Sequence, residues 1–191
     1  KTHIKSLKIP PGYKDVKISL NNKDRVLAIG TDSRDRKQYI YNNEYKLERE
    51  DTKYYNLIEF GRKYKKIMRK INCDLTSSNC IDKEIATVLK IISECNFRIG
   101  NDIYRDTNNS YGVSTLESKH INIDGEIIDI EFIGKKGVNN RCRFKNRKLS
   151  HNLRRKKQNS RINKSIFNIS NTQINNYLKE FGNFSSKNFR T

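Results

Sequence analysis

No uncharged apolar run approaches the roughly 20 residues that a membrane-spanning helix needs. Residues 1–11 are basic and lack the apolar stretch of a secretory leader, so neither a membrane span nor a signal peptide is expected. The first residue is Lys rather than Met, which reads as a fragment or a trimmed chain. Cysteine is sparse: Cys73, Cys80, Cys95 and Cys142 stand 7, 15 and 47 residues apart, with no Cys-x-x-Cys pair. The three histidines, His3, His120 and His151, are scattered. A zinc site needs clustered thiolates and imidazoles, so no metal is expected. Free buried or half-buried thiols in a reducing compartment are expected instead. Acid is sparse as well: 21 Asp+Glu face 40 Lys+Arg, for a formal net charge of +19. From Phe132 to Lys179 there is no Asp or Glu at all, while Lys and Arg number 14. A one-signed stretch of that length is either a disordered basic arm or a phosphate-facing surface. The charge points to a polyanionic partner, with nucleic acid the default and a merely basic soluble protein the alternative.

The 191 residues suit one domain of ordinary size or two small ones. Apolar residues make up only 34% but recur throughout, so a core can form. Residues 16–20, 25–30 and 37–41 read as strands, the last alternating Gln38 and Ile40 against Tyr39 and Tyr41. Residues 54–71 carry a helical stripe through Leu57, Ile58, Tyr64, Ile67, Met68 and Ile71. Residues 74–83 are small and polar, and a linker is placed at 76–83. Residues 84–97 form a helix through Ile85, Val88, Leu89 and Ile92. Residues 106–110 read as a loop. Residues 120–123, 126–133 and 141–145 make an antiparallel meander, with Asp124-Gly125 as its first tight turn. Arg154-Arg155-Lys156-Lys157 reads as a solvated basic loop. Residues 171–181 form a last helix, capped by Ser170 or Asn171 and stopped by Gly182. The expected fold is α+β. An N-terminal antiparallel sheet module with helices spans 1–75, and a mostly helical domain with a three-stranded antiparallel sheet spans 84–191.

Three basic residues stand in unusual contexts. Arg98 follows directly on a buried helix, Lys135 occupies a hairpin turn in Ile133-Gly134-Lys135-Lys136-Gly137, and Arg190 follows Phe189. Taken singly, each reads most simply as a solvated surface charge. Their joint order carries more.

The chain resembles the type IB DNA topoisomerases, in particular their small poxvirus and bacterial form. The resemblance runs through Lys8-Ile9-Pro10, the segment from Gly30-Thr31-Asp32 to Gln38-Tyr39-Ile40-Tyr41, and Met68-Arg69-Lys70-Ile71-Asn72-Cys73. It continues through Phe97-Arg98-Ile99-Gly100, Ser114-Thr115-Leu116 with His120, and Phe132-Ile133-Gly134-Lys135. It ends in Tyr177-Leu178-Lys179-Glu180-Phe181-Gly182 and Phe184-Ser185-Ser186-Lys187-Asn188-Phe189-Arg190-Thr191. Each match alone is weak; their order and spacing together are specific.

The resemblance implies a tyrosine recombinase/topoisomerase IB-like fold and an isomerase that relaxes supercoiled duplex DNA. It would act through a transient 3′-phosphotyrosyl bond, with no ATP, metal or other cofactor. It makes Arg98 and Arg190 the two catalytic arginines and Lys135 the catalytic lysine. Guanidinium forks suit the non-bridging phosphate oxygens, and a lysine suits protonation of the departing 5′-oxygen. It also implies DNA contacts by Arg36, Lys37, Gln38, Tyr39, Tyr41 and Tyr104. For Tyr39 and Tyr41 the alternative is a core face. His120 matches a strand-start position and reads as structural.

The family's histidine and nucleophilic tyrosine lie beyond the second arginine, so none of the ten tyrosines stands in the nucleophile's place. The 191 residues are therefore expected to bind double-stranded DNA, as a monomer, without cleaving it. Asp35 stands where the family more often has Gly, which leaves that turn open. Two other readings remain. A tyrosine recombinase or integrase shares the Arg–Lys–Arg order, but usually has His three residues before its second arginine, where Lys187 stands. A non-catalytic basic DNA-binding clamp is the other. The counts of Asn (24), Ile (24) and Lys (25) suggest an AT-rich genome and, with the resemblance, a large DNA virus. The expected location is intracellular, in a virion or at a host-cell replication site.

Overall fold

The computed structural model describes residues 2–160 and 164–190. They fall into two units, 1–55 and 56–191.

In the first unit, a short helix α1 (Thr2–Ser6) precedes β1 (Lys14–Ile18), β2 (Val26–Thr31) and β3 (Lys37–Tyr41), antiparallel in the order β1-β2-β3. Ala28 pairs with Ile40 and Gly30 with Gln38, which puts these four on one face. Tyr13 lies over Gly30 so closely that a Cβ there would stand 3.0 Å from its ring. Helix α2 (Asn43–Asp74) begins right after β3. Asn42 caps it by accepting from the Glu44 N–H, while its own Nδ2 donates to the Asn22 carbonyl. The helix is much longer than the apolar stripe at 54–71 suggests. Its first turns, Glu-Tyr-Lys-Leu-Glu-Arg-Glu, favour helix by propensity without offering a buried face.

The second unit is built around α3 (Cys80–Cys95), whose Ile85, Val88, Leu89, Ile91 and Ile92 are buried. Asn79 caps it by accepting from the N–H groups of Ile81 and Asp82. Asn96 ends it in the left-handed region at φ 55, which Asn tolerates better than most residues. Strands β4 (Ile121–Asp124), β5 (Ile127–Ile133) and β6 (Asn139–Lys145) form the expected meander. Ile128, Ile130 and Phe132 alternate into the core, and Asp129 and Glu131 face their partners Arg143 and Arg141 on the other side. Helix α5 (Arg147–Gln158) buries Leu149 and Leu153, and α6 (Asn171–Lys179) buries Ile174, Tyr177 and Leu178. Each such aliphatic side chain contributes about 1.5–3 kcal/mol by leaving water. Tyr177 donates to Asp74 at 2.7 Å, and Lys70 pairs with the same carboxylate at 2.9 Å. Burial, then that bond, pushes the Tyr177 phenol far up from its ordinary value.

Several expectations differ from this. The division falls inside α2, between Tyr55 and Asn56, rather than at 76–83. The last four residues of that expected linker, from Cys80, already belong to α3, because Asn79 nucleates the turn. The expected loop at 106–110 is largely the end of α4 (Asp102–Asn108), capped by Asn101. The basic loop at 154–157 lies within α5, where Leu149 and Leu153, four residues apart, are the two buried apolar residues beside Ser150. The thiols are not all free: Cys95 and Cys142 form a disulfide with Cα atoms 5.7 Å apart. Cys142 pairs across the sheet with buried Ile130, and Cys95 ends α3 beside it. A separation of 47 residues gives no hint of this. Cys73 and Cys80 are free and exposed.

Candidate functional site

In the first unit, β3 carries the expected contact residues. Tyr39 and Tyr41 stack with centroids 6.1 Å apart, and Tyr39 is 46% exposed, so this is not a core face. Tyr41 lies 5.7 Å from Tyr45, and the Arg49 guanidinium sits over both rings at 5.9 and 5.7 Å. Lys37 is exposed. Arg36 and Gln38 converge on Asp32: the Arg36 guanidinium pairs with Oδ2 at 2.7 Å, and Gln38 Nε2 donates to the same oxygen at 2.9 Å. The Arg36 side-chain bond is the main reason the Asp32 carboxyl is held well below the usual carboxylate range. Asp35 takes φ 54 in this turn. The position therefore asks for the left-handed conformation that glycine adopts freely and aspartate tolerates.

In the second unit, Arg98 lies on the extended stretch that follows α3. Phe97 is buried edge-on to Phe132 at 4.9 Å, while Arg98 is exposed. The next carbonyls are all held. That of Arg98 accepts from the Val113 N–H at 2.9 Å, and that of Ile99 from the Ser114 N–H and hydroxyl at 2.6 and 2.7 Å. That of Gly100 accepts from Asn171 Nδ2 at 2.7 Å. The loop that holds Arg98 also holds the β5–β6 hairpin, because the Tyr111 N–H donates to the Ile133 carbonyl at 2.9 Å. Lys135 stands two residues further, exposed, in a turn closed by Gly134 N–H to Val138 carbonyl at 2.8 Å. Lys136 and Gly137 take φ 66 and 75 there.

Arg190 ends a short turn, Ser186–Arg190, fixed by Phe189 against Phe60 at 5.1 Å. Burial, then the positive charge of Arg98, lowers the Arg190 guanidinium from its ordinary value. The fold thus brings the two arginines within electrostatic reach. Among the described residues, neither guanidinium has a carboxylate partner or a side-chain hydrogen bond.

Tyr104 is 60% exposed on α4, where Arg105 is held by Asp102 at 2.9 Å and Asp106 at 2.8 Å. His120 Nδ1 accepts from the Glu117 N–H at 3.0 Å and its ring lies 4.3 Å from that of Tyr111. Burial is the main cause that lowers its pKa, in the same direction as its role as an acceptor at Nδ1.

A family described as "Eukaryotic DNA topoisomerase I, catalytic core" matches residues 42–191, which hold Arg98, Lys135 and Arg190. The chain belongs to the type IB DNA topoisomerases. It is 29% identical to the DNA topoisomerase 1B of Acanthamoeba polyphaga mimivirus, over 98% of this chain and 60% of that protein. It is 28% identical to the DNA topoisomerase 1B of vaccinia virus (strain Copenhagen), over 83% of the chain and 51% of the relative. A shorter stretch, 37% of the chain, is 35% identical to 7% of the DNA topoisomerase 1 of Mycosarcoma maydis. The chain thus spans about half to three fifths of the viral relatives' length.

As a type IB topoisomerase chain, it also contains residues around the site that the sequence does not single out for it. Gly112 lets its loop lie against the Arg98 backbone, and Ser114 holds the Ile99 carbonyl. Asn171 and Asn175 bond the segments next to the two arginines. In the sequence Asn171 stands out only as a cap candidate, and the structure gives that role to Ser170, which accepts from Gln173. Nothing local marks Asn175.

Proposed function

We propose that this chain grips the backbone of duplex DNA and that Arg98, Lys135 and Arg190 serve a type IB transesterification at one phosphate. The observation that carries this is that one loop holds both the Arg98 carbonyl, through the Val113 N–H, and the Ile133 carbonyl next to the Lys135 turn, through the Tyr111 N–H, while among the described residues neither Arg98 nor Arg190 has a carboxylate partner. The arginines grip the non-bridging oxygens and stabilise the charge that builds as phosphorus becomes five-coordinate. The Lys135 ammonium gives its proton to the departing 5′-oxygen and recovers it on religation. The nucleophile, by the family's pattern, is a tyrosine that follows the second arginine, so these 191 residues bind without cleaving. Lys37, Tyr39 and Tyr41 on β3, and Tyr104 on α4, add contacts along the duplex, and Arg36 and Gln38 lend theirs once a phosphate or base edge competes with Asp32. The chain acts as a monomer. Its viral relatives support a viral origin, and its working place is then the virion or a host-cell replication site.

Titration of a labelled duplex tests this. Affinity should fall steeply and linearly with salt on logarithmic axes. Arg98→Ala and Arg190→Ala should each weaken binding and flatten the slope by about 1. Salt-independent binding would overturn the proposal, and so would a covalent DNA adduct formed by the 191 residues.

A further inference from the structure

Helix α6 carries two asparagines four residues apart, which places them on one side of the helix, one above the other. Asn171 Nδ2 donates to the Gly100 carbonyl at 2.7 Å, two residues beyond Arg98. Asn175 Oδ1 accepts from the Ser186 N–H at 3.2 Å, at the start of the turn that ends in Arg190. The two bonds have opposite polarity: one asparagine must give a proton, the other must take one. Both side chains are half-buried. The backbone groups they hold have little alternative. Gly100 takes φ 103 and packs against Gly112, and Ser186 is itself buried beside Phe189. Among the described residues neither arginine has a carboxylate partner, so the extended stretch at Arg98 and the turn at Arg190 are held through their backbones.

We infer that Asn171 and Asn175 are positioning residues that set Arg98 and Arg190 at the separation one phosphate requires, with α6 as the rigid spacer between them. The inference rests on the phosphate-gripping role proposed above for the two arginines. Asn175 acts through the Ser186 N–H, and Asn171 through the Gly100 carbonyl, with its Oδ1 also accepting from the Ser114 hydroxyl at 3.4 Å. A helix is a suitable spacer because its rise of 1.5 Å per residue is regular, whereas 97–101 is an extended stretch and Ser186–Arg190 only a short 3-10 turn. Misplacement by an ångström at such a site is costly because two charged bonds to one phosphate must form together.

The test is duplex affinity of the 191-residue chain as a function of salt, with melting temperature measured on every variant. Asn171→Ala and Asn175→Ala should each weaken binding about 5- to 20-fold, the range expected when a charged hydrogen bond is mispositioned rather than deleted. Asn171→Asp should be as weak as Asn171→Ala, since a carboxylate cannot donate to the Gly100 carbonyl. Its melting temperature should fall no further than that of Asn171→Ala, because acid suits the first turn of a helix and offsets part of the lost bond. Asn175→Asp should bind like the native chain, since a carboxylate still accepts from Ser186. Thr172→Asp, exposed on the same turn, controls for the added charge. Asn171→Ala combined with Arg98→Ala should be no weaker than Arg98→Ala alone.

If Arg98→Ala and Arg190→Ala leave binding unchanged, the phosphate reading falls and takes this inference with it. If those two weaken binding but Asn171→Asp binds like the native chain, the inference alone falls. It falls likewise if Asn175→Asp is as weak as Asn175→Ala, or if the Asn171–Arg98 double variant shows additive losses.

Discussion

Gly112 lies against the backbone of Arg98: a Cβ at Gly112 would stand 2.7 Å from the Arg98 carbonyl oxygen and 2.4 Å from the Gly100 nitrogen. No flexible side chain can yield there, because both neighbours are main chain. Gly112 itself is extended at φ −154, so the need for glycine comes from proximity and not from conformation. Gly112→Ala should cost about 1–3 kcal/mol in denaturant unfolding, the usual cost of forcing an extra methyl into packed structure. It should also weaken duplex binding by shifting Arg98. Gly61→Ala is the contrast: nothing lies within 4 Å of that Cβ in the middle of α2. It should stabilise by about 0.5–1 kcal/mol, the helix preference for Ala over Gly.

Asp35 occupies a left-handed turn position at φ 54. Asp35→Gly should leave the stability of the chain the same or slightly higher. Asp35→Val should lower it by about 1–2 kcal/mol, the cost of a branched side chain in that region. Thermal melts of the two variants, followed in the strands of the first unit by amide exchange, check this.

Burial holds the His120 pKa below its ordinary 6.5. The sign follows from linkage: between the folded and unfolded values the unfolded chain binds more protons, so stability rises with pH. The contribution is present above pH 6.5 and is lost as pH falls toward the folded value. Glu117 opposes the shift and Lys119 supports it. Unfolding free energy measured from pH 7.5 down to 5 should therefore decline. His120→Asn, whose amide oxygen can accept from the Glu117 N–H, should flatten that decline.

The Cys95–Cys142 disulfide closes a separation of 47 residues that includes Arg98, Tyr104 and Lys135. By chain entropy, a loop of that size is worth about 4 kcal/mol, and native disulfides of this kind are typically worth about 2–4. A dithiol reductant, or Cys142→Ser, should lower the stability of the second unit by that order. Cys73→Ser, exposed and unpaired, should leave it unchanged. Equal responses in the two variants would show that the disulfide does not set stability.

Much of the fold was legible where one face of an element is buried against a polar surround. The alternation Ile128, Ile130, Phe132 marked β5, and Ile85, Val88, Leu89, Ile92 marked α3. Elements with thin buried faces were not legible. Helix α5 buries only Leu149, Ser150 and Leu153 in a run otherwise of polar and basic residues, and α4 buries nothing at all. The first turns of α2 are set by propensity and the Asn42 cap, which leave no apolar period to read.

The sequence by itself determined the electrostatic character of this chain and its family, and it singled out Arg98, Lys135 and Arg190 as candidates, because charge and motif spacing are properties of the chain order alone. Only the tertiary structure decided that Arg190 feels the charge of Arg98 across 92 positions of sequence. It alone decided that Asn171 and Asn175 hold the segments on either side, and that Cys95 reaches Cys142. The physical reason is common to all of these. Each depends on a single close approach between segments distant in the chain, made by residues of ordinary type. Such approaches are fixed by packing around α3 and leave no period, cap or composition in the sequence to announce them.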